Sequence, residues 1–113
     1  MSKYVTKFDI SDPSLVITDA HCDEADVFVD GQLWQRMIDP AEVTLPSKLL
    51  TQIAGIWAKR QAAVDGAIGE NSPLWKKAAA FEKDALQMVN SLNKKSLGIS
   101  TSAIFGSITL GRG

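Results

Sequence analysis

The sequence LPSKLLTQIAGIWAKRQAAV, residues 45–64, carries the clearest structural signal in the chain. Residues at steps of three and four form one stripe, namely Leu49, Ile53, Ile56, Trp57, Arg60 and Val64, with Leu50 and Ala54 widening it. This spacing predicts an α-helix with a broad apolar face. A helix of about 20 residues spans roughly 30 Å, the length of a small domain. No acid, His or Cys lies between Glu42 and Asp65, so we expect this helix to pack rather than to react.

A helix is predicted before this central one. It begins after Thr18, a good N-cap residue, and ends at Asp39-Pro40, because the residue before a proline avoids helical geometry. Gly31, in its middle, predicts either the close approach of another helix or a kink. One side of this helix carries an apolar stripe of Ala20, Val27, Trp34 and Ile38, with Phe28 and Met37 beside them.

A helix is also predicted after the central one, over residues 73–95, opened by Ser72-Pro73 and followed by Gly98. The central helix itself covers about 47–65, capped by Thr44 or Ser47. Near the N-terminus, Pro13 to Val16 forms either a short helical turn or part of an extended arm.

Length and composition limit the architecture. The 113 residues fit one domain, and a hydrophobic fraction of 45% permits a modest core. We therefore predict an all-α fold, a small antiparallel bundle of three long helices over residues 1–98, followed by an extended tail over 99–113. Twelve Lys and Arg against thirteen Asp and Glu give a charge of −1, whereas a protein that grips nucleic acid is usually basic.

The cysteine content and the hydrophobic pattern of the sequence predict where the protein is made. Cys22 is the only cysteine, which is typical of a protein from a reducing compartment. The N-terminus has no apolar signal region, and no stretch approaches the 18 or so apolar residues of a membrane helix. We expect a soluble protein, made in the cytoplasm, without a membrane partner.

The C-terminal segment ISTSAIFGSITLGRG, residues 99–113, alternates large apolar residues with Ser, Thr and Gly. Burial of five such side chains would contribute roughly 8 to 15 kcal/mol. Ordering fifteen residues costs roughly 15 to 30 kcal/mol in backbone freedom. The segment would order on a partner that supplies strand hydrogen bonds and pockets, or else remain a loose terminus or fold back as a strand on its own domain. Its candidate docking residues are Ile99, Ile104, Phe105, Ile108, Leu110 and Arg112.

The sequence shows no clear motif for catalysis or for metal binding. One cluster has residue types that could suggest a metal site or a Cys–His pair: His21, Cys22, Asp23 and Asp26. On a helix, His21 and Cys22 would point about 100° apart and could not act together. We therefore interpret the cluster as surface residues at a helix start. The stretch from Asp26 to Gly31 lacks the ligands of a calcium loop. No phosphate-binding loop, dinucleotide motif or nucleophile elbow is present. We expect no enzyme activity, no metal and no cofactor.

Charged and aromatic residues offer candidate surfaces. Four acids at steps of four, three and four form a ridge that is either solvated or faces the basic residues of a neighbouring subunit: Asp19, Asp23, Asp26 and Asp30. Lys76 and Lys77 are either solvated or contact an acidic partner or DNA phosphates. The tryptophans each lie on an apolar stripe and are interpreted as core or inter-subunit packing rather than base stacking: Trp34, Trp57 and Trp75.

The order of these features resembles the head–tail connector proteins of tailed bacteriophages, also called head-completion or neck adaptor proteins. The resemblance covers residues 17–98. Its pieces are an acid-rich opening helix with ADVFVDGQLWQRM, a proline-bounded gap that leads into LPSKLLTQIAGIWAKR, and a last helix WKKAAAFEKDALQMVNSL followed by KKSLG. An early helix expected of the family is not evident in FDISDPSLVI.

The resemblance implies a structural virion protein at the head–tail interface. Its copies would form a ring, commonly of twelve, below the portal, bridge the portal to the next neck or tail-completion protein, and line a channel with transient contact to passing DNA. In several members a C-terminal extension docks onto the portal, as residues 99–113 would here. The near-neutral charge suits a channel through which DNA slides.

An alternative function is a small helical DNA- or protein-binding regulatory factor, with helices 47–65 and 73–95 as a helix-turn-helix variant. Neither helix carries clustered arginines, and the connection between them is long for that motif.

Overall fold

The computed structural model describes residues 3–98 and shows an all-α body. Its three helices are α1 (Asp19–Gln35), α2 (Lys48–Gly66) and α3 (Leu74–Val89). Short 3-10 turns precede α1 and link α1 to α2, at Lys7–Asp9 and Pro40–Glu42. No strand occurs among residues 3–98, so the predicted three-helix architecture is confirmed. The boundary at residue 98 and the tail beyond it lie outside the described residues.

The central position of α2 is the main feature of the packing. Both α1 and α3 pack along α2, whereas α1 and α3 make at most marginal contact with each other. His21 at the start of α1 meets Asp65 at the end of α2, so these two helices run antiparallel. Arg60 of α2 pairs with Glu82 of α3, and Leu74 approaches Gly66, so α2 and α3 also run antiparallel.

One side of α1 packs into the core of the chain. Its buried apolar positions are Cys22, Ala25, Val29 and Leu33, which lie against Leu50, Ile53, Ala54 and Ala58 of α2 in one core cluster. Val27 is 73% exposed and Trp34 is 59% exposed, so the stripe that contains them faces away from this core. The sequence of α1 contains two apolar stripes, and periodicity does not choose between them. The stripe with the smaller side chains is the one packed against α2.

The start of each of the first two long helices agrees with the sequence. The Oγ1 of Thr18 accepts a hydrogen bond from the backbone N–H of His21, which confirms the predicted cap of α1. At α2, the Oγ of Ser47 accepts from the N–H of Leu50, which decides between the two caps considered.

The end of α1 comes four residues before the predicted end at Asp39. Met37 has a left-handed φ of 61°, the N–H of Ile38 donates to the carbonyl of Leu33 at 2.9 Å, and that of Met37 donates to Trp34 at 3.0 Å. This pair of bonds is a Schellman motif, in which the positive-φ residue stops the helix. The side chain of Ile38 is buried as a result, although it follows the helix.

α3 ends six residues before the predicted end. Beyond Val89 the chain continues in turns, where the Oγ of Ser91 donates to the carbonyl of Met88 at 2.7 Å. Asn93 and Ser96 then exchange side-chain and backbone hydrogen bonds, which close a separate turn. Asn and Ser compete for backbone groups in this way and so terminate helices.

An N-terminal arm, residues 3–17, packs beside α2. Tyr4 accepts a hydrogen bond at its carbonyl from Thr51 Oγ1 at 2.7 Å, and a Cβ added to Gly55 would lie 3.9 Å from Val5 and Ile10. The arm therefore runs along α2 in the same direction. At Asp12 the carboxylate accepts from the N–H of Ser14 and the carbonyl accepts from that of Leu15, so the short turn considered from the sequence forms here, within the arm.

Gly31 has open space beside it. A Cβ added there would meet nothing within 4 Å among the described residues. No helix among the described residues approaches it closely, so the approach of a helix from another chain, or a kink, stays a prediction.

Candidate functional site

The acid-rich helix α1 binds the arm of its own chain. Asp26 is buried and accepts two backbone hydrogen bonds, from the N–H of Lys3 at 2.7 Å and from that of Tyr4 at 3.2 Å. Burial raises the pKa of the Asp26 carboxyl, while the two amides oppose that rise. This side chain fixes the first described residues of the chain onto α1.

Asp30, one helical turn later, completes this attachment. It accepts a hydrogen bond from the phenol of Tyr4 and pairs with the ammonium of Lys3 at 2.9 Å. Burial of Tyr4, and secondarily the Asp30 carboxylate, raise the pKa of the phenol above its usual value. Asp26 and Asp30 were candidates for a subunit interface, and their observed contacts lie within the chain.

The two other acids of the ridge face outward. Asp19 is largely exposed, with Lys7 at 4.0 Å, and Asp23 is also exposed. Such a surface pair contributes little to stability, since water and salt screen it. Their assignment to a subunit interface stays a prediction.

His21 and Cys22 are buried, so their interpretation as surface residues is wrong. His21 is 5% exposed, and its Nε2 lies 2.5 Å from Asp65 Oδ2. The backbone N–H of Thr18 donates to Nδ1 at 3.1 Å, so Nε2 is the nitrogen that carries a hydrogen toward Asp65. The imidazole thus joins the start of α1 to the end of α2.

Cys22 has no exposed surface. Burial raises the pKa of its thiol, and the carboxylates of Asp19, Asp26 and Asp23 raise it further, which disfavours the reactive thiolate. Among residues 3–98, no three His, Cys, Asp or Glu side chains are grouped so as to hold a metal ion.

The two lysines at the start of α3 have different roles. Lys77 contacts the arm, with its ammonium 3.5 Å from Asp12 and hydrogen-bonded to the hydroxyl of Ser14. That hydroxyl and the N–H of Ser14 lower the pKa of Asp12, and Lys77 adds to the effect. Lys76 is exposed. Their prediction as interface residues is untested, although the observed partners of Lys77 belong to its own chain.

The three tryptophans are placed differently. Trp57 stacks on Phe28 with ring centroids 3.8 Å apart, and the guanidinium of Arg60 lies 5.0 Å from the Trp57 ring. Trp75 is 44% exposed and donates its indole N–H to the carbonyl of Gly69. Only Trp57 therefore serves the core of this chain, while Trp34 and Trp75 present apolar surface outward.

Comparisons with family models, with curated proteins and with solved structures match nothing.

A partly apolar groove lies beside the arm. It holds about 400 Å³ and is lined by Val5 and Ile10 of the arm, Gly55 and Ile56 of α2, and Met88 of α3. Its polar lining residues are Asp9, Ser11, Thr51, Gln52 and Lys59.

The predicted docking residues of the tail lie outside the described residues. These are Ile99, Ile104, Phe105, Ile108, Leu110 and Arg112. Within residues 3–98, no helix has the length and apolar content needed to span a membrane.

The arm contacts were missed from the sequence. Tyr4 and Asp26 are 22 positions apart, and Tyr4 and Thr51 are 47 apart, so no local pattern indicates either pair. Only the burial of Asp26 could have been expected from the sequence. Asp26 directly follows Ala25, which lies on the stripe of α1 that is buried.

Proposed function

We propose that this chain is a structural adaptor of a tailed-bacteriophage neck, which assembles as a ring under the portal and joins it to the next neck or tail component. The proposal starts from the sequence resemblance over residues 17–98. It is supported by the helical body, and by the sequence of residues 99–113, which predicts a segment that a partner could order. In this role the protein is a virion component that lines the DNA channel.

The observation that carries the proposal is the contrast between residues 3–98 and residues 99–113. The described body buries its own core, contributed by the arm, the three helices and Leu92. The last fifteen residues have five large apolar side chains, too few to offset their own ordering. A docking partner would supply the missing contacts, and a ring would multiply a weak affinity per tail.

The test is binding to a portal protein from the genome that encodes this chain. The full chain should bind portal rings in mass photometry and electron microscopy, and a version ending at residue 98 should not bind. Circular dichroism of the truncated chain should retain the helical signal. Failure of the full chain to bind the portal at any concentration contradicts the proposal.

A matched pair of variants sharpens this test. Phe105→Asp with Ile108→Asp removes apolar side chains from the tail, whereas Ser102→Asp with Ser107→Asp adds the same charge at polar positions. The first pair should abolish portal binding, and the second should preserve it. Equal loss in both pairs would mean that charge, rather than apolar docking, controls binding.

The regulatory alternative has less support. α2 and α3 run antiparallel along their lengths, from Leu74 beside Gly66 to Glu82 beside Arg60. A helix-turn-helix instead crosses its two helices steeply.

A further inference from the structure

The outer side of α1 presents an apolar stripe. Val27 and Trp34 are seven positions apart, which is two helical turns, and both are exposed. Gly31 lies between them on the same side, with open space where a side chain would be. The glycine makes the stripe shallow at its centre, so another helix has room to approach the α1 backbone closely.

The charges of α1 are all of one sign. The helix contains five acidic residues and neither Lys nor Arg: Asp19, Asp23, Glu24, Asp26 and Asp30. Asp26 and Asp30 point toward the arm, while Asp19 and Glu24 are exposed within one or two turns of Val27. The apolar stripe of α1 therefore has an acidic border.

The outer side of α3 presents a second stripe with the opposite border. Trp75 is 44% exposed and Leu86 is 43% exposed, with the exposed Ala79 between them at helical spacing. Lys76 and Lys83 follow the same side of α3 and are exposed. Glu82 also lies on this side, between Ala79 and Leu86, and its carboxylate pairs with Arg60 of α2. The stripe therefore has a small residue in its middle, one carboxylate paired within the chain, and a basic border.

The two stripes lie on helices that flank α2 on different sides, since α1 and α3 scarcely touch. We propose that the α1 stripe of one copy packs against the α3 stripe of the next copy, acidic border against basic border. This arrangement is heterologous, so each copy has one neighbour at α1 and another at α3, and a ring results when the rotation closes. Pairing of α1 with α1 would instead bring two acidic borders together, which is unfavourable. The inference rests on the ring-forming part of the proposed function and is independent of the portal.

Each test variant places a charge in one of the two stripes, so that this stripe can no longer pack against a neighbouring copy. Trp34→Glu places a carboxylate in the α1 stripe, and Leu86→Glu places one in the α3 stripe. Both residues are exposed in the single chain, so circular dichroism and the melting temperature should remain close to those of the wild type. Ile68→Glu is the matched control, because Ile68 is 88% exposed in the α2–α3 connection and belongs to neither stripe.

Analytical ultracentrifugation up to millimolar concentration should show self-association of the wild type and of the Ile68→Glu control. Each blocked variant alone should associate about thirtyfold more weakly or worse, the loss typical of a buried aromatic or aliphatic anchor. A one-to-one mixture of the two variants should form a dimer and nothing larger, because each retains the face that the other lacks.

Several outcomes overturn the inference. Undiminished association of Leu86→Glu excludes the α3 stripe, and a mixture without dimers excludes pairing of α1 with α3. A wild type that stays monomeric throughout the concentration range excludes self-association through these faces. Self-association by this interface without portal binding would instead support the inference and contradict the connector role.

Discussion

The imidazole Nε2 of His21 lies 2.5 Å from Oδ2 of Asp65 and joins the first turn of α1 to the last turn of α2. The backbone N–H of Thr18 approaches the other ring nitrogen, so Nδ1 must accept. We expect a long-range proton–nitrogen correlation spectrum to show His21 with a hydrogen on Nε2 and none on Nδ1. Asp65→Ala should leave this tautomer unchanged, because the donor that selects it belongs to Thr18. A protonated Nδ1 in the wild type would contradict the geometry.

The Tyr4 phenol and the Asp30 carboxylate should be energetically coupled. Tyr4→Phe removes the hydrogen bond and keeps the ring, and we expect it to lower the free energy of unfolding by about 1 kcal/mol, because Asp30 is partly exposed. In a double-mutant cycle with Asp30→Ala, chemical denaturation should give a coupling energy of about 1 kcal/mol. Additive losses would mean that the contact does not contribute in solution.

The backbone at Met37 has a conformation that favours glycine. Its φ of 61° is left-handed, a conformation that costs a non-glycine residue roughly 1 kcal/mol. Its side chain is 85% exposed, so Met37→Gly should raise the free energy of unfolding by about 0.5 to 1 kcal/mol in urea denaturation. Gln35→Gly, within α1, should lower it by a similar amount. A destabilised Met37→Gly would indicate a different end to α1.

Two helical glycines should accept alanine. At Gly55 a Cβ would make ordinary contacts at 3.9 Å with Val5 and Ile10, and at Gly31 it would meet nothing within 4 Å. Each substitution should raise stability by about 1 kcal/mol, measured by thermal unfolding, because alanine is the better helix former. Loss of stability in Gly55→Ala alone would show that the arm lies closer to α2 in solution.

Two carboxyls should affect the pH dependence of stability in opposite directions. The pKa of Asp26 is raised in the folded chain, so the fold binds its proton more tightly than the unfolded chain does, and stability falls as pH rises through that pKa. The pKa of Asp12 is lowered, so its contribution is present above the ordinary Asp value of about 3.9 and is lost as pH falls through the folded-state pKa.

Denaturation series across acidic pH test this difference in sign. Relative to Asp26→Asn, the wild type should gain stability as the pH falls from neutral toward 4. Relative to Asp12→Asn, it should lose stability as the pH falls below about 4. The same sign for both variants would contradict the assignment.

The helices could be predicted from the sequence because their signals are local. The period of Leu50, Ile53 and Ala54 and the caps Thr18 and Ser47 act within a few residues. The end of α1 was misplaced because Met37 does not resemble a helix-stopping residue, and its left-handed geometry follows from the burial of Ile38 and Leu33 together.

The candidate surfaces were harder to predict for a physical reason. Charge spacing indicated the acidic ridge correctly as a sequence feature, but it does not reveal that Asp26 and Asp30 bind the arm. Such contacts depend on how segments far apart in the chain meet. The same holds for His21, whose burial is a consequence of its contact with the end of α2.

The arm also has a consequence for the order of folding. Its attachments are to residues made after it: Asp26 on α1, Thr51 on α2 and finally Lys77, which is 65 positions beyond Asp12. During synthesis the arm must therefore wait until α3 has emerged before all these contacts exist. The attachment of the arm is complete only after the three helices that follow it have been made.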